Sequence, residues 1–179
     1  MSNLRLINET TISSSQSSTT VNDIFSSDYD IYKIVVNDFT QAGATETAIS
    51  MRYVNSAGSI LTDSNYDYAF LTMKTGASFA EGRNTNQAKL LWAAGYSGAS
   101  PDTMGNVIYV FNPYSSSSYT FSLGQNFSSD FGTTYGVSWK SIGVYTQTSS
   151  VTGINLYDSD GAGAYDGGVI RTYGLRVDS

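Results

Sequence analysis

The residues able to do chemistry in this chain are acids and phenols. Three carboxylates, Asp158, Asp160 and Asp166, stand in the Gly-rich run Asp158–Gly168. A hard cation such as calcium needs several oxygen ligands and a glycine to turn the chain, which gives this spacing the outline of a calcium loop. The odd-position acids and the distal Glu of an EF-hand are not both present, and no helical pattern flanks the run. The simpler reading is a loop joining the last two strands, its Asp residues stabilising turns, and no metal or cofactor is expected. A second pair, Asp28 and Asp30, has the residue type for glycoside hydrolysis, and alternation puts both on one face if a strand reaches back that far. Paired carboxylates are common on loops, so no catalytic residue is assigned there. Four tyrosines, Tyr96, Tyr114, Tyr119 and Tyr165, fall in or beside loops, where a rigid ring with a polar tip can stack on a sugar or anchor a protein partner. Packing against loop backbone is the plainer expectation for each of them.

The rest of the catalytic inventory is absent. The chain has no His and no Cys among its 179 residues, so it lacks the usual proton carrier near neutral pH, the thiolate nucleophile and the soft metal ligands. An enzyme is not expected. The net charge of −6 opposes binding to a phosphate backbone, and the Lys and Arg residues are scattered singly, so no nucleic-acid partner is expected. No apolar run approaches the ~20 residues of a membrane helix, and the N-terminal residues Met1–Ile7 lack the basic and apolar regions of a secretory signal. The expectation is synthesis in a cytoplasm without membrane insertion.

The elements that must carry these residues read as strands. Helix formers are scarce, with three Glu and four Lys, while Tyr, Thr, Val and Ile are plentiful. Period-two alternation marks Asn3–Ile7, Ser18–Ile24, Asp30–Phe39, Thr47–Val54 and Tyr66–Lys74. It continues through Asn106–Phe111, Tyr119–Leu123, Thr134–Tyr145, Val151–Tyr157 and Val169–Val177. In the third of these, Tyr32, Ile34 and Val36 share one face, with Ile31, Val35 and Phe39 on the other. Thr134–Tyr145 is expected to bend near Gly136 or Gly143. Asn86–Ala94 fits a helix, through Ala88, Leu91 and Trp92, and fits a strand equally well. Trp92 and Trp139 lie in apolar runs and are expected in the core. Asn55–Gly58 and Asn112–Tyr114 read as turns, and Gly95–Asp102 and Asp158–Gly168 as the longest loops. Nine or ten short strands at this spacing predict one all-β domain over residues 1–179, an antiparallel β-sandwich of jelly-roll-like type.

Several segments also resemble a known group of proteins. The runs Phe25–Val35, Ile108–Tyr119, Val151–Tyr157 and Thr172–Val177 are similar to small β-sandwich virion proteins of tailed bacteriophages. The resemblance implies a virion component, decorating the head or forming part of a neck or tail fibre. No catalytic motif comes with it. What it implies about partners is other virion proteins, with homo-oligomer formation. Such a chain would be made in a host cytoplasm and reside in the virion. The surface composition agrees, being poor in Lys and Glu, the usual guards of strand edges, and rich in Tyr. The runner-up expectation is a carbohydrate-binding, receptor-recognition module of a tail fibre, with a host-surface glycan as ligand.

Overall fold

The computed structural model describes residues 3–42, 47–76, 79–97, 103–129, 135–158 and 164–175. Among them there is no helix, and twelve strands build two antiparallel sheets. In chain order these are β1 (Leu4–Thr11), β2 (Ser18–Val21), β3 (Ile31–Ala42), β4 (Thr47–Val54), β5 (Tyr66–Lys74) and β6 (Ala80–Gln87). They continue with β7 (Leu90–Ser97), β8 (Met104–Phe111), β9 (Thr120–Ser129), β10 (Gly136–Tyr145), β11 (Gly153–Asp158) and β12 (Ala164–Leu175). The large sheet runs β1-β12-β3-β8-β9-β10-β5-β6, and the small one β2-β11-β4-β7. The chain crosses repeatedly between them and forms a β-sandwich, as the alternation implies.

The sandwich is unequal, eight strands against four, and it holds more strands than the nine or ten expected. The two additions are β6 and β7. The sequence of β6, AEGRNTNQ, has no apolar face because it is an edge strand, bonded to β5 alone. Side chains hold it there: Asp67 Oδ1 accepts from the Asn86 amide at 2.7 Å, and Asn84 Nδ2 donates to the Tyr68 hydroxyl at 3.1 Å. The ambiguous segment Asn86–Ala94 is no helix: it covers the end of β6 and the start of β7.

One hydrophobic cluster fills the space between the sheets. Tyr32, Ile34 and Val36 of β3 point into it as alternation requires, but so does Phe39, which was expected on the opposite face. The cause is a bulge. The register with β8 shifts between Val36 and Phe39, and Asp38 takes a positive φ of 52°, so one extra residue turns Phe39 inward. There its ring meets Tyr165 edge-on, 4.8 Å between centroids. On β10 the register with both neighbours runs unbroken through Gly143, so no bulge interrupts the strand there, and the strand starts at Gly136. Trp139 is buried as expected and stacks on Phe70 at 4.5 Å, while the Trp92 side chain lies outside the described residues.

Tyrosines close the other end of the core. Tyr53, Tyr66 and Tyr145 form a ring cluster with centroid separations of 4.8 to 6.1 Å. Two of their hydroxyls hold the surrounding backbone and loop: Tyr66 donates to the Leu61 carbonyl at 3.0 Å and accepts from the Tyr53 amide at 3.1 Å. Tyr145 donates to Asp63 at 3.2 Å. Burial holds the phenols of Tyr53, Tyr66 and Tyr165 well above their ordinary value. It raises that of Tyr145 to about 12, with the nearby Asp63 charge adding to the effect.

Candidate functional site: the outer face of the large sheet

The small sheet has ordinary polarity. Ile49, Met51, Ile154 and Leu156 face the core, while its outer side carries Asn155, bonded to the Ser18 and Thr20 hydroxyls, and Arg52 over the Tyr157 ring at 4.2 Å. The large sheet reverses this arrangement at its centre. Along β9 the buried positions are Thr120, Ser122, Gly124, Asn126 and Ser128, and the outward ones are Phe121, Leu123, Gln125 and Phe127. The strand is amphipathic in the opposite sense to its neighbours.

The reason lies across the core. Strand β7 brings its Cα atoms within 8 Å of those of β3, β8, β9, β10 and β5, so it passes across the large sheet rather than along one strand. Face-to-face sheets ordinarily lie ~10 Å apart, with side chains filling the gap. At this shorter separation only small inward side chains fit on β9. Two of these side chains bond within the sheet: Ser122 Oγ donates to the Gly143 carbonyl at 3.3 Å, and Asn126 Oδ1 accepts from the Trp139 amide at 3.0 Å. Ser141 of β10 completes the pattern with a 3.4 Å bond to the Gly124 carbonyl. Because alternation is strict, the apolar half of β9 then has to face outward.

Cross-strand pairing gathers neighbours around it. Leu123 lies between Tyr109 of β8 and Ile142 of β10, and Phe121 between Phe111 and Val144. Leu71 sits beside Lys140 on the next strand, and Phe127 beside Gly105 on the other side. Phe121, Leu123, Phe127, Ile142 and Leu71 are 47%, 46%, 64%, 57% and 41% exposed. Together they present on the order of 500 Å² of contiguous apolar surface, the upper end of what an isolated monomer carries. The face is not flat. Leu123, Ile142 and Ala69 separate two hollows, one of about 780 Å³ reaching Phe127, Lys33 and Lys140, the other of about 550 Å³ reaching Phe111, Phe121 and Asp67.

The residues singled out from the sequence are placed elsewhere. Asp28 and Asp30 are exposed in the connection before β3 and share no strand face, because β3 begins at Ile31. Asp158 is buried at the end of β11 and Asp166 is exposed on β12, so they belong to different sheets, while Asp160 lies outside the described residues. The expected loop Asp158–Gly168 is shortened from its far end, where β12 starts at Ala164. Among the described residues no cluster of three or more acids is arranged to hold a metal ion. Tyr165 is fully buried against Phe39 and is core rather than a binding aromatic, because pairing of β12 with β3 carries it inward. Tyr114 and Tyr119 are both 44% exposed, one in the turn after β8 and the other just before β9. The Tyr96 backbone is in β7, and its side chain lies outside the described residues.

Phe121, Leu123, Phe127 and Ile142 were missed as functional residues. The available signal is the alternation in FSLGQNFSS itself, which marks a strand with one apolar half but does not say that this half faces water. These features define an all-β sandwich with one apolar outer face. No protein-family model matches the chain, and no curated protein sequence matches it.

Proposed function

We propose that this protein is a non-enzymatic structural component of a bacteriophage virion, a head decoration or a neck or tail-fibre part, that assembles through the outer face of its large sheet. The observation that carries the reading is the inverted polarity of β9, which places Phe121, Leu123 and Phe127 in solvent on a rigid central strand. Apolar patches of this size, rimmed by polar residues, are the usual mark of protein contact. Both edges of the same sheet carry charges, Arg5 and Glu9 on β1 and Glu81 and Arg83 on β6, which guard against strand addition. Assembly is thereby directed to the face and away from the edges. The virion setting is supported by the resemblance of four segments to phage sandwich proteins.

The test is recovery of the protein, by mass spectrometry and immuno-electron microscopy, on purified particles. Ile142→Lys should abolish that recovery while leaving the circular dichroism spectrum unchanged. A chain absent from particles would defeat the reading. One observation favours the runner-up, a carbohydrate-binding module: the larger hollow offers the Phe127 and Tyr109 rings together with Gln125 and two lysines. A glycan-array signal lost on Phe127→Ala, with no particle association, would decide for it.

A further inference from the structure

We infer that the occupant of this face is a second copy of the same chain, packed sheet to sheet about a two-fold axis; the inference rests on the assembly reading above. Three features of the face point to it.

The first is shape. A ridge with a hollow beside it can be self-complementary, because a two-fold seats each copy's ridge in the other's hollow. Here the ridge is the Leu123–Ile142 pair and the hollow is the larger one, floored by Gln125 and Lys140 one pairing step along the strands. An axis running across the strands, between the Leu123 and Gln125 rows, makes this exchange. Leu123 and Ile142 then lie over the apolar stems of the partner's Gln125 and Lys140. Phe121 comes over the partner's Phe127.

The second is charge. The two rows related by this axis end on β6, where Arg83 pairs with Ala69 and Glu81 with Leu71. The same operation therefore sets Arg83 of each copy against the partner's Glu81, giving two reciprocal opposite-charge contacts. A two-fold along the strands, over β9, would set Glu81 against the partner's Arg171, which Glu9 already holds at 2.6 Å, and would lay the Leu123 row on itself without the ridge-in-hollow seating.

The third is area. The five exposed apolar side chains at its centre supply on the order of 500 Å² per copy, more than half of the ~800 Å² a side of a standard stable interface, and the flanking rows of the same face add to it. An apolar centre with a charged rim is the composition such interfaces have.

Sedimentation velocity on the purified full chain tests this, with dimer expected at micromolar concentration. Ile142→Lys should leave a monomer with an unchanged circular dichroism spectrum. Arg83→Glu should weaken the dimer about tenfold or more, because each copy then sets an acid against the partner's Glu81, and adding Glu81→Arg should restore it. Rescue by the double reversal is a result that general destabilisation of β6 would not give. A wild-type monomer throughout the range, or a dimer indifferent to the Arg83 reversal, overturns the inference. A monomer that still binds particles through Ile142 overturns the second copy alone and leaves the assembly reading in place. A rescued dimer absent from particles does the reverse.

Discussion

Phe127 lies over Gly105, its cross-strand partner on the outer face of the large sheet, so closely that a Cβ on Gly105 would sit 2.4 Å from the ring. The glycine leaves a gap in the pleated surface and the ring fills it, which orients Phe127 while leaving most of it in solvent. The same pairing recurs on the inner face, where the Phe70 ring lies over Gly82 while it stacks on Trp139. In both places a ring takes the volume that a missing side chain vacates, and in the first it builds the wall of the larger hollow.

A first prediction separates these glycines by what a methyl group would strike. Gly105→Ala meets the far end of an exposed ring that can swing away, so the cost in urea denaturation should stay below ~1 kcal/mol, with an unchanged m value. Gly153→Ala meets the Val21 carbonyl oxygen at 2.3 Å, which belongs to the backbone of the strand paired with β11 and has no such freedom. That variant should lose about 3 kcal/mol or more. Equal costs at the two sites would contradict the assignment.

A second prediction tests the reversed polarity of β9. Leu123→Thr replaces an outward apolar side chain with a good strand former and should change monomer stability by less than ~1 kcal/mol. Ser122→Val adds apolar volume beneath β7 and removes the bond to the Gly143 carbonyl, so it should destabilise by about 1–3 kcal/mol despite being the more hydrophobic change. If Ser122→Val stabilises the protein, the close approach of β7 is misassigned.

Alkaline pH supplies a third prediction. In the unfolded chain tyrosine ionises near 10, whereas Tyr145 in the fold ionises at about 12 and Tyr53, Tyr66 and Tyr165 higher still. The folded state therefore holds more protons than the unfolded one above pH 10. Stability is complete below that pH and falls steadily as the pH rises through the folded values. Tyrosinate absorbance should accordingly show an early set of exposed phenols, followed by a late set whose ionisation coincides with loss of the β circular dichroism signal. A single unshifted titration, completed with the fold intact, would refute the buried cluster.

Chelation gives a fourth. Asp158 lies buried beside Tyr165 at the end of β11 while Asp166 is exposed on β12, an arrangement that does not gather ligands for a hard cation. EDTA should leave the Tm within about 1 °C, and added calcium should not raise it. A calcium-dependent rise of several degrees would place a metal in this region.

How much was legible differs from strand to strand. β3, β4, β5 and β8 could be read directly, because their apolar residues alternate and face the core. β6 could not, since an edge strand bonded on one side carries no apolar stripe to read. Phe39 was assigned to the wrong face because a bulge depends on how Asp38 meets the partner strand, and alternation has no record of that. The tyrosines near Gly-rich runs were read as loop residues, yet Tyr165 is core once β12 pairs with β3. The candidate site is the least legible part, because alternation marks its strands without saying which half faces water.

The sequence by itself determined the fold class: period-two alternation, hydroxyl-rich turns and scarce helix formers leave little but antiparallel sheets. Which half of β9 meets water was decided only in three dimensions. Hydrophobicity alone would bury the Phe121–Leu123–Phe127 half of β9, and the position of β7 within 8 Å selects the phase that buries Ser122 and exposes Leu123. Local sequence sets the period of a strand, but its phase depends on the space the opposite sheet leaves. That is why the apolar face comes from packing between strands far apart in the chain.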